Sequence, residues 1–85
     1  MNTFQKQALR DFIERHKKEF YEGLPAPVLY NFSIQIQYMT LTEAARLLWC
    51  FFPCGATLHG ADITPSLIED EIRYMEDEIA DNAFQ

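Results

Sequence analysis

Apolar residues recur at three- and four-residue steps from the start of the chain: Phe4, Ala8, Leu9, Phe12, Ile13 and Phe20, with His16 on the same line. That spacing belongs to a helix with one buried stripe. Asn2 followed three residues later by Gln5 is a capping-box pair, so the helix is expected to begin near Thr3. Gly23 can close it in the left-handed conformation, and Pro25 and Pro27 prevent its resumption, which predicts an end between Tyr21 and Gly23.

Residues 26–39 carry two competing periods. Phe32, Ile34, Ile36 and Tyr38 alternate as in a strand, while Val28, Leu29, Phe32, Ile36 and Met39 fit a helix. A lone strand would leave its backbone groups unpaired, and no second β-rich segment is evident, so a helix beginning near Pro27 is the expectation. Thr40 with Glu43 is another capping pair, and it opens the run LTEAARLLWCFF, which Pro53 stops. The last six residues of that run are all apolar and would point in every direction around a helix, so a helix extending to Phe52 would have to be surrounded. After a loop over residues 53–63, Thr64 and Pro65 mark an N-cap and a first helical position. The helix they open should reach about Ala80, with Ile68, Ile72, Met75 and Ile79 as its buried stripe.

The pattern therefore predicts an all-α fold, a small bundle of three to four helices forming a single domain over residues 1–85. The expected core is Phe4, Leu9, Phe12, Ile13, Phe20, Leu29, Phe32, Ile36, Leu47, Leu48, Ile68, Ile72, Met75 and Ile79. Composition agrees: 48% of residues are apolar and 14% aromatic, which excludes a disordered or low-complexity chain. A domain this small buries only about 60–65% of the surface its unfolded chain exposes, so some large side chains must stay outside the core. Trp49, Phe51, Phe52, Tyr30, Tyr38, Tyr74 and Phe84 are the candidates. No apolar run has the length of a membrane span, and charges stand where a signal peptide would be apolar, so the cytoplasm is the expected compartment.

Charge changes the picture further. The formal net charge is −6, and residues 64–85 carry essentially all of it, with seven acids against Arg73 alone. Acidity on this scale argues against general nucleic-acid binding, which needs clustered Lys and Arg. Glu69, Asp70 and Glu71 fall in the first turns of the last helix, where the helix dipole favours them. Glu76, Asp77, Glu78 and Asp81 fall toward its C-terminal end, where the dipole and their mutual repulsion disfavour them. Asp70, Asp77 and Asp81 share one face, as do Glu71 and Glu78, so two carboxylate rows are expected to flank the buried stripe.

The side chains that could carry chemistry are few. Cys50 and Cys54, followed by His59, have part of a zinc-site spacing. Structural zinc takes four ligands in paired clusters, and Asp62 is the one nearby fourth candidate, so no metal is expected. The cysteines read instead as reduced thiols filling small apolar spaces. A Cys50 or Cys54 nucleophile paired with His59 would need a substrate pocket, which a bundle of this length rarely encloses. His16 reads as a packing histidine or as the partner of Glu19. There is no Gly-rich phosphate cradle and no metalloprotease or serine-nucleophile motif. Neither enzymatic activity nor a cofactor is expected.

Rows of fixed negative charge can complement a basic groove that ordinarily receives a nucleic-acid backbone. The expectation is a small acidic protein-binding module, similar in size and charge to the inhibitors that phages and plasmids encode. It would block a nucleic-acid-handling protein that has a basic surface. Asp70, Glu76, Asp77, Glu78 and Asp81 would steer the encounter, and Trp49, Phe51, Tyr74 and Phe84 would anchor it. One alternative rests on residues 39–48. The phrase MTLTEAARLL resembles the opening helix of the helix-turn-helix in excisionase-like and MerR-like DNA-binding proteins. That resemblance implies a dimeric regulator with a recognition element after the turn, and Arg15, Lys17 and Lys18 on phosphates. Residues 54–63 contain no Lys or Arg, and the helix after them is the acidic one. The other alternative is an accessory subunit of a homo- or hetero-oligomer.

Overall fold

In the computed structural model, which describes residues 1–83, helix α1 spans Thr3–His16 and starts from the expected capping box. The Gln5 amide N–H donates to Asn2 Oδ1 at 2.7 Å, and the Asn2 N–H donates to Gln5 Oε1 at 3.1 Å. One 3-10 turn follows over Lys17–Glu19, and Phe20 then turns extended, so the helix ends before the expected Tyr21. Tertiary contact is the reason. The Tyr21 N–H donates to the Phe51 carbonyl at 2.9 Å, and the Phe20 ring meets Phe51 and Phe52 edge-on at 5.7 and 5.0 Å. Gly23, at φ +86°, makes the left-handed turn that leads away.

Helix α2 covers Ala26–Gln35 and is prolonged by a 3-10 turn over Ile36–Tyr38, so the helical period prevails over the strand-like one. Helix α3 spans Leu41–Trp49, with Thr40 Oγ1 accepting from the Glu43 N–H at 3.2 Å. It does not run to Phe52. The N–H groups of Cys50, Phe51 and Phe52 each reach back three residues, to Leu47, Leu48 and Trp49, which tightens the chain out of the α-helix. That tightening sorts the apolar run. Leu48, Phe51 and Phe52 are buried, whereas Leu47, Trp49 and Cys50 face outward. The expectation of an apolar helix surrounded on every side is thereby corrected.

Residues 53–63 hold a short hairpin that periodicity did not reveal. Strands β1 (Thr57–Leu58) and β2 (Ala61–Asp62) pair antiparallel, Leu58 opposite Ala61. His59 at φ 53° and Gly60 at φ 82° form the two-residue turn between them, the left-handed pair that suits the twist of a hairpin. Helix α4 spans Pro65–Ala83, with the Leu67 N–H donating to Thr64 Oγ1 at 3.1 Å, so the cap is as expected and the C-terminal end lies beyond Ala80.

Helix α4 is the central support, packed against both α1 and α3. Leu9 and Phe12, Ala44, Ala45 and Leu48, and Ile68, Ile72 and Met75 form the contact. An aromatic cluster extends it, Phe52 meeting Phe12 at 6.3 Å and Phe51 meeting Phe32 of α2 at 5.3 Å, both edge to face. Of the expected core, Ile13, Leu29 and Ile79 are partly buried against this cluster, Phe4 is half-buried and Leu47 is exposed. The molecule measures 39 × 29 × 19 Å. A thickness of 19 Å admits two layers of helices at about 10 Å each, so each helix has a core-facing side and a side with no protein over it.

Candidate functional site

The acidic face follows from the register of α4. With Ile68, Ile72 and Met75 turned inward, helical spacing places Asp70, Tyr74, Asp77 and Asp81 on the opposite, outward side. All four are exposed, and Tyr74 retains 63% of its surface. Asp70, Asp77 and Asp81 thus lie behind the buried stripe rather than beside it. Glu78 is exposed and Glu76 is half-buried.

The two halves of the helix treat their carboxylates differently. Glu69 accepts a hydrogen bond from the Thr42 hydroxyl of α3 and pairs with Arg73 at 3.4 Å. Glu71 meets His59 Nε2 at 3.2 Å, which ties the hairpin turn to α4. These acids have structural partners. Among the described residues, no ion pair or side-chain hydrogen bond engages Asp70, Glu76, Asp77, Glu78 or Asp81. Arg73, the one base of this helix, points toward Glu69 and leaves the C-terminal acids uncompensated.

Trp49 belongs to a different feature. It is 47% exposed, and its indole N–H donates to the Ile63 carbonyl at 3.0 Å. With Phe52, Pro53, Ala56 and Ile63 it lines an apolar cleft of about 400 Å³, whose polar edge is Cys50, Cys54 and Asp62. No acid of α4 lines that cleft. The expected grouping of Trp49 with the α4 acids is therefore split between two surfaces. Phe51 is corrected more sharply: it is a buried ring between Phe20 and Phe32, because the turn after α3 folds it inward, and only its edge reaches the floor of a shallow groove beside α2. Phe84 lies outside the described residues. Tyr30, Tyr38, Tyr74 and Trp49 are exposed, as the excess of apolar surface predicts.

The cysteines are also corrected. Both are exposed on the cleft rather than filling apolar space, and Cys50 Sγ approaches the Arg46 carbonyl at 3.5 Å. Among the described residues, no three His, Cys, Asp or Glu side chains gather as a metal site would require. His16 is buried as expected, with Nδ1 3.2 Å from Glu19 Oε2, yet its Nε2 has no partner among the described residues. The basic stretch after α1 is partly neutralised, Lys17 pairing with Glu14 at 2.8 Å. Among the described residues, no helix is long and apolar enough to cross a membrane.

What sequence reasoning missed is the hairpin and the cleft it helps to close. A signal for the turn exists in His59-Gly60, since histidine tolerates the left-handed region better than most residues. In comparison with known proteins, the chain matches no family model, no curated protein and no solved structure.

Proposed function

We propose that this chain is a non-enzymatic protein-binding module of the cytoplasm that inhibits a nucleic-acid-handling protein by occupying its basic surface with the outer face of α4. The observation that carries this reading is the exposed row Asp70, Tyr74, Asp77 and Asp81, whose carboxylates have no partner among the described residues. Unpaired carboxylates keep their full field, which steers a positively charged partner toward the face. Tyr74, in the middle of the row, supplies an aromatic anchor with a hydroxyl that can hydrogen-bond at the rim of a contact. Glu78 extends the charge along a second row, and half-buried Glu76 supports it from the flank.

The test is affinity capture from the native host with the tagged chain, beside an Asp70→Lys/Asp77→Lys/Asp81→Lys variant. The wild type should retain one basic nucleic-acid-binding protein and release it on raising the salt to about 0.5 M, where exposed charges are screened. The variant should lose it by at least about 100-fold in affinity. Equal retention by both proteins, with the same salt dependence, refutes the reading.

A further inference from the structure

Residues 23–42 contain no Asp, Glu, Lys, Arg or His, although nearly a quarter of the chain is charged. Helix α2 lies wholly within this segment and is apolar on two opposite sides. Its inner side is Phe32, with Ile36 in the turn that follows, both in the core. Its outer side carries Tyr30 and Ile34, one turn apart, with Tyr38 one turn further on, exposed by 67%, 47% and 81%. Between this stripe and α3 runs a shallow groove of about 230 Å³, into which the exposed Val28 and Leu47 contribute apolar surface. A helix with apolar residues on two opposite sides is one that normally has protein on both of them.

We infer that this face is the interface of a two-fold symmetric dimer, its occupant the same face of a second copy of the chain. Three observations select that occupant. The first is charge. Around a two-fold axis a residue near the axis meets its own copy, so a charged face repels itself and an uncharged one does not. The basic partner that α4 calls for would find nothing on α2 to pair with.

The second is hydrogen bonding. The polar side chains interleaved with the stripe are Asn31, Ser33, Gln35 and Gln37, and the tyrosines end in hydroxyls. Each of these groups both donates and accepts, so each can pair with its own copy at the axis or with another of the set away from it, which a carboxylate or an ammonium cannot do.

The third is area. A whole tyrosine side chain presents roughly 150–250 Å², so the exposed fractions of Tyr30 and Tyr38 alone amount to about 300 Å². With Ile34 between them the apolar stripe reaches about 400 Å², and the adjoining amides, with Val28 and Leu47 along the groove, bring the exposed surface near the roughly 800 Å² per partner of a stable interface. The dimer stands whether or not the α4 acids bind a partner, because the two faces share no residue.

Sedimentation equilibrium of the full chain, from about 1 to about 200 µM, tests the proposal. The expected mass is twice the 10.0 kDa of one chain. Raising the salt should leave this association intact or strengthen it, opposite to contacts made by α4. Ile34→Glu and Tyr38→Glu should each weaken it by at least about 100-fold, because each buries two carboxylates in the interface with no base on this face to pair with them. Neither side chain belongs to the core, so circular dichroism should report an unchanged fold, and Lys18→Glu should change nothing. A monomer throughout the concentration range overturns the proposal, as does a dimer that both glutamate variants leave intact.

Discussion

Replacing His16 by leucine isolates the cost of one unpaired polar atom at the end of α1. The ring is buried, and its Nε2 has no hydrogen-bond partner among the described residues. Leaving such an atom unsatisfied costs about 1–3 kcal/mol. Two contacts oppose the change. The Nδ1 contact with Glu19, whose side chain is 50% exposed, contributes at most about 1 kcal/mol. The tilted contact with Phe12, centroids 4.6 Å apart, contributes about 0.5–1.5 kcal/mol. A leucine fills nearly the same space and adds apolar burial, which returns about 1 kcal/mol over the imidazole. The balance predicts that His16→Leu stabilises the fold by about 1 kcal/mol, raising Tm by about 4–8 °C in a domain of this length. Urea denaturation followed by far-UV circular dichroism reads the change directly. Two further variants separate the contributions. Glu19→Gln, which removes only the half-exposed contact, should cost less than about 1 kcal/mol. His16→Ala, which opens a cavity against Phe12, should cost about 2 kcal/mol or more. A destabilisation of more than about 1 kcal/mol in His16→Leu would show that Nε2 is engaged in the native protein and that the premise is wrong.

Phe51→Ala should destabilise by about 3–5 kcal/mol, because the ring bridges Phe20 and Phe32 and its removal leaves a cavity between α2 and the body of the protein. Its effect should appear in the denaturation midpoint; an unchanged midpoint with weakened partner binding would return Phe51 to the surface. Gly60→Ala should cost about 1 kcal/mol, since the turn holds this residue at φ +82° and only glycine adopts that conformation without strain. No change in thermal unfolding would mean that the hairpin contributes nothing to the folded state.

Local chemistry was legible in the sequence wherever the determining groups lie within four residues of one another. Asn2 with Gln5, Thr40 with Glu43, and Thr64 with Pro65 marked three helix starts, because a cap is a hydrogen bond between near neighbours and needs no other part of the molecule. The stripe Ile68, Ile72 and Met75 was legible for a similar reason: a single period over a long segment defines an inner face, and with it the outer row of Asp70, Tyr74, Asp77 and Asp81. Where the pattern is apolar without a period, as in residues 47–52, the sequence says only that something must be covered. The turn that sends Phe51 and Phe52 inward and leaves Trp49 outside exists because Phe12, Phe20 and Phe32, distant in the chain, converge there. The same convergence ends α1 early and draws Phe20 out of the helix. Trp49 was likewise separated from the acids of α4 by the hairpin, whose Ile63 carbonyl takes the indole hydrogen. Helices and their faces thus follow from short-range sequence. Which apolar residues remain in water was decided by tertiary structure, because a fold 19 Å thick has one interior and more apolar faces than that interior can receive.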